Sequence, residues 1–137
     1  MATKFSLQHE FPKIPLDVFE AHLNDPKLNQ MLEQGLGFDE RTLVEERATK
    51  DGTNWLFLVK KCGDIPKALQ KILKEDGLSW HESSRFVRAE HCIYWEINPE
   101  SKLIKFNGKG VWKLSPLKNG CKRIIEGTIS VDIPLVG

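Results

Sequence analysis

The chain predicts an α+β domain built on one curved, seven-stranded antiparallel sheet, and three observations lead there. The stretch Thr3 to Phe11 alternates; two short helical patterns punctuated by proline follow; six further strand-like stretches then run to the last residue. Alternation is the period of a half-buried strand, whereas recurrence at about 3.6 residues marks a helix with one apolar stripe. At 137 residues the chain has the size of a single domain, residues 1–137. A chain of this length typically buries roughly two-thirds of its unfolded surface, so a sizeable core is expected.

Taken in order, Thr3 to Phe11 is the first strand, with Phe5, Leu7, His9 and Phe11 on one face. Pro12 and Pro15 stop it, and Pro15 suits the first turn of a helix whose stripe is Leu16, Phe19 and Leu23. Asp25 and Pro26 then open a second helix through Leu28, Met31 and Leu32 to a Gly35 stop. Phe38 to Ala48 and Thr53 to Cys62 read as a hairpin around Asp51-Gly52. The second of these strands is apolar on both faces through Trp55-Leu56-Phe57-Leu58-Val59, which places it inside the sheet. Asp64 to Glu75 carries Ile65, Leu69, Ile72 and Leu73 at helical spacing, a short helix inserted between strands three and four.

Leu78 to Ala89 and His91 to Asn98 follow as strands, and the turn Asn98-Pro99-Glu100-Ser101 sends the chain back. Leu103 to Leu114 sets Ile104, Phe106, Gly108, Gly110, Trp112 and Leu114 on a dry face and Lys105, Asn107, Lys109 and Lys113 on a wet one. Cys121 to Ile133 repeats the pattern, with Ile125, Gly127, Ile129, Val131 and Ile133 inward. Glycines 108, 110 and 127 stand where core side chains normally do; they let the sheet bend, or leave concave space, or both.

Composition narrows the function classes. Apolar residues are 40%, charged residues 28% and net charge +1, so no nucleic-acid partner and no strong membrane field are expected. No stretch approaches the roughly 18 apolar residues of a membrane span, and the start lacks a basic-then-apolar leader, so the expected location is cytoplasmic. Cys62, Cys92 and Cys121 are odd in number and scattered, which points to reduced structural thiols. The four histidines show no ligand spacing, so no metal and no cofactor are expected.

Strand, helix pair and six antiparallel strands is an order that resembles the START-like (helix-grip, SRPBCC) superfamily of birch-pollen-allergen proteins, polyketide cyclases and lipid-transfer START domains. Within it the chain is most similar to a group of uncharacterised bacterial START-like proteins. The resemblance rests on His9-Glu10-Phe11, on the Asp25-Pro26 junction and on the closing Val131-Asp132-Ile133-Pro134-Leu135-Val136-Gly137. It implies a helix-grip fold whose curved sheet encloses an apolar cavity. It also implies a long C-terminal helix across the mouth of that sheet, and this chain ends where such a helix would begin. Either the sequence is part of a longer protein, the preferred reading, or a partner chain supplies the cover, as in a homodimer.

On that fold the ligand-binding candidates are Trp55, Phe57, Trp80, Phe86, Ile93, Trp95, Phe106, Trp112 and Ile125, since flat aromatic and aliphatic side chains suit sterols, acyl chains or aromatic metabolites. Polar residues on apolar faces need a partner or a task, which singles out His9, Glu82 and Arg88. A Glu82 to Arg88 ion pair at the rim, or simple exposure, is the simplest expectation. No catalytic residue is assigned; Ser83-Ser84 has no base nearby in sequence. Lys102, Lys105, Lys109 and Lys113 form a basic strip that fits solvated strand faces as well as acidic head groups. The expected activity is binding or transport of a hydrophobic small molecule or lipid without chemistry. The alternatives are a polyketide cyclase or aromatase working in the same cavity, and a protein-interaction module of the chaperone-activator type.

Overall fold

Alternation along the chain is realised as strand wherever it was strongest. A computed structural model describes residues 2–23, 25, 27, 40–61, 78–99 and 105–132. Its strands are β1 (Ala2–Phe11), β2 (Glu40–Ala48), β3 (Gly52–Lys61), β4 (Leu78–Val87), β5 (Cys92–Pro99), β6 (Lys105–Pro116) and β7 (Cys121–Asp132), with a helix α1 at Leu16–Ala21 and a 3₁₀ turn at Arg88–Glu90. The second helix expected from Asp25 and the inserted helix at Asp64 to Glu75 lie outside the described residues.

The seven strands form one sheet in the order β1-β7-β6-β5-β4-β3-β2, every neighbouring pair antiparallel. β2 to β7 are therefore a meander, and β1 joins beside the last strand. One register row crosses all seven: Phe5, Gly127, Gly110, Trp95, Ser84, Trp55 and Glu46. Because side chains alternate, this row and every second row beside it form one face, here the tryptophan face; the rows between form the polar face.

α1 starts at Pro15, whose φ of −59° is set by its ring, and Phe19 N–H donates to the Pro15 carbonyl at 2.9 Å. Its stripe works as the spacing predicts: Phe19 is buried against Leu114 and Cys121, stacks on Phe11 at 5.1 Å, and is flanked by Leu16 and Leu23. A contact between Glu20 and His91 ties the helix to the turn after β4. His91 has the left-handed φ of 53° and belongs to that turn.

Two local departures from the expected pattern matter for the site. The register of β2 shifts between Leu43 and Glu45, so Val44 is an extra residue and the alternation of β2 changes phase there. β4 ends at Val87 rather than at Ala89, and Arg88 sits exposed in the 3₁₀ turn instead of on the strand face with Glu82.

Candidate ligand-binding site

The tryptophan face divides into two halves. Trp55, Phe57, Val59, Trp80, Phe86 and Ile93 form one buried cluster on β3, β4 and β5, and Trp95 is buried beside them. Trp112 packs on that cluster but stays half-buried, as does Ile125, and Leu7 in the same row is 47% exposed. Phe106 follows the same face by register, while its side chain lies outside the described residues. So the sequence candidates are brought together on one face, packed towards β3 to β5 and partly open towards β6, β7 and β1.

The glycines on this face have a specific occupant. A Cβ on Gly127 would lie 2.4 Å from Cζ2 of Trp95, and one on Gly110 would lie 2.6 Å from the same atom. The missing side chains are replaced by the Trp95 indole, which lies flat over two neighbouring strands and reaches Phe5 at 5.9 Å between ring centres. Space that the sequence leaves open is filled from the side. The indole Nε1 of Trp95 is buried there without a hydrogen-bond partner.

Polar groups on the face pair differently from the sequence expectation. Glu82 does not meet Arg88; it accepts a hydrogen bond from Nη2 of Arg41 at 2.6 Å, across the intervening β3, and the Arg41 guanidinium lies 3.7 Å over the Phe57 ring. Arg88 is displaced because β4 stops at Val87, just before it. Removing one member of a fully buried ion pair costs about 3–5 kcal/mol, and Glu82 retains some solvent, so Arg41→Ala is expected to destabilise by about 2 kcal/mol in urea unfolding. Arg41→Ala combined with Glu82→Ala should recover part of that loss, because no charge is then stranded.

Arg123 is the polar residue that sequence reading missed. It is only 6% exposed, on the tryptophan face of β7, two positions before Ile125. Its Nη2 donates to Nδ1 of His9 at 3.1 Å, and its guanidinium lies 4.6 Å from the Trp112 ring centre and 5.6 Å from that of Phe11. No carboxylate among the described residues pairs with it, and its Nε–H is buried with no acceptor. Burial brings its pKa down to about 10. Cation–π contact offsets part of the desolvation, at about 2 kcal/mol per desolvated contact.

Since a guanidinium only donates, Nδ1 of His9 is the acceptor and the neutral ring carries its proton on Nε2. Burial, and then the Arg123 charge, hold the His9 pKa below 6.5. The unfolded chain therefore takes up this proton first, so the His9 contribution to stability falls as pH drops below 6.5. An NMR titration should place the His9 midpoint below that value; a midpoint at or above it would contradict the pairing.

A groove of about 1240 Å³ crosses the sheet along the central row, but its side chains come largely from the polar face, among them Lys4, Lys109, Glu96, Arg85 and Arg47. Of the sequence candidates whose side chains are described, Trp55 and Trp95 border it. The basic strip of β6 lies on this face too; Lys113 pairs with Glu126 at 3.0 Å, so part of its charge is neutralised. Burial raises the thiol pKa of both Cys92 and Cys121, which keeps them protonated.

The sequence matches the family model described as "Protein of unknown function (DUF2505)" over residues 6–137. The chain belongs to that family. No curated protein matches it. Among solved structures, this DUF2505 domain is similar to TTHA0849 of Thermus thermophilus (TM-score 0.62, 11% identity, 97% of this chain and 76% of that one). It is also similar to the ZhuI aromatase/cyclase of Streptomyces sp. R1128 (0.61, 10%, 96% and 71%) and to Ara h 8.0201 (0.58, 13%, 99% and 83%). The DUF2505 chain thus has the START-like, helix-grip fold expected from its element order. No helix among its described residues is long and apolar enough to cross a membrane.

Proposed function

We propose that the chain is one START-like unit that binds a hydrophobic small molecule or lipid against its tryptophan face, carrying it without chemistry, in the cytoplasm. One observation carries this reading: Leu7, Trp112, Ile125 and Ile129 form an apolar strip on β1, β6 and β7 that keeps partial exposure beside a closed aromatic cluster. An apolar strip of this kind, edged by a few polar groups, is what small-molecule sites offer. The proposed contact residues are Trp112 and Ile125, with Phe106 beside them by register and Trp55, Phe57, Trp80, Phe86, Ile93 and Trp95 as the wall behind. Aromatase/cyclases among the similar structures agree with a ligand-binding fold.

The test is titration with the neutral apolar dye N-phenylnaphthylamine, read by energy transfer from tryptophan. Saturable uptake of one dye per chain is expected; no saturable uptake overturns the reading. A second reading, a protein-interaction module, is favoured by the groove on the polar face, which mixes Lys4, Lys109 and Arg85 with Glu45, Glu96 and Glu126. It predicts charge-reversal effects at Lys109 on partner capture and none on dye uptake. The cyclase alternative draws less support, because Glu82 is held by Arg41 and Arg88 stands in an exposed turn.

A further inference from the structure

Resting on the ligand-binding reading, we infer that the molecule bound is a hydrophobic carboxylic acid whose carboxylate is held by Arg123 and His9. Arg123 is a buried cation whose charge is met only by a neutral imidazole and two aromatic rings, with no carboxylate partner among the described residues. Its Nε–H is buried and has no acceptor. Native structures satisfy such groups, so an orphaned guanidinium edge beside a half-exposed apolar strip is a place for an anion that arrives with its own apolar body.

The neighbouring groups match a carboxylate. A guanidinium edge presents two roughly parallel N–H groups, the geometry a carboxylate takes up bidentately. His9, accepting from Arg123 at Nδ1, has its Nε2–H as a further donor. From Arg123 the tryptophan face continues along β7 through Ile125 to Gly127, where Trp95 lies. Four residues of strand span about 13 Å, the reach of a medium-length acyl chain. Leu7 and Trp112 flank Ile125 in the same row and supply apolar contact along it.

The experiment compares decanoate with decanol as competitors for the neutral dye at neutral pH. The wild type is expected to bind decanoate about tenfold more tightly or better, the worth of a charge-assisted hydrogen bond. Arg123→Met should bind the two equally while still taking up the dye. Equal affinities in the wild type, or a decanoate preference that survives in Arg123→Met, overturn the anchor and leave apolar binding standing. A wild type that takes up no dye removes both readings. A second measurement needs no variant: the Arg123 Nε–H resonance of the wild type should move on adding decanoate and stay in place with decanol. An unmoved resonance with decanoate bound overturns the anchor.

Discussion

Gly110→Ala is expected to cost about 3 kcal/mol, the upper end of what overpacking causes, and to lower the melting temperature by roughly 10 °C. Its Cβ would lie 2.0 Å from the Glu126 carbonyl oxygen, 2.6 Å from Trp95 and 2.7 Å from the Gly127 Cα, and backbone cannot move aside as a side-chain tip can. Gly108, two residues earlier on the same face, is the control. There a Cβ meets Ile129, Thr128 and Trp95 at 3.3 to 3.4 Å, so Gly108→Ala should change stability by less than ~1 kcal/mol. Thermal unfolding followed by circular dichroism decides between them. Equal effects at both positions would mean that Trp95 does not lie over the glycines as described.

Trp112→Arg is expected to reduce dye uptake by ~100-fold, equivalent to nearly 3 kcal/mol. The substitution exchanges an apolar wall for a charge at a half-buried position and sets a second cation beside Arg123, which now lies 4.6 Å from the Trp112 ring. Because Trp112 is packed against the core cluster only at its margin, the sheet should remain folded, which circular dichroism checks. Undiminished uptake by a folded variant would remove Trp112 and the strip around it from the site.

Local pattern carried the fold because the strands are strongly periodic. β6 and β7 alternate through Trp112, Gly110 and Gly108 and through Ile125, Gly127 and Ile129, and their inward faces are those the alternation predicts. The Asp51-Gly52 turn also stands where expected, with Thr49 N–H donating to the Gly52 carbonyl at 2.9 Å. Long-range pairing was not legible in the same way. Arg41 reaches Glu82 only because β2, β3 and β4 lie side by side, and because the extra residue Val44 shifts the phase of β2 and so puts Arg41 on the tryptophan face, where strict alternation from Glu46 would have put it on the polar one.

Arg123 was within reach of the sequence. Extending the inward series Ile129, Gly127, Ile125 back by two residues lands on it, and an arginine on an apolar face is the kind of misfit that marks a site. Arg88 was misplaced for a physical reason: the chain leaves the strand at Val87 to form a 3₁₀ turn, and a period of two gives no warning of such an ending. That Trp95 would fill the hollow of Gly110 and Gly127 depends on how far an indole reaches across strands, which depends on register and lies beyond any local pattern.

Native mass spectrometry of the purified protein tests ligand carriage most directly, since it reports chain mass, subunit count and any retained molecule together. The expected spectrum shows a discrete added mass of a small organic molecule, lost on collisional activation and restored by incubation with decanoate. A spectrum of bare chain that stays bare after incubation with decanoate and with the neutral dye would contradict the binding reading and turn attention to the polar groove.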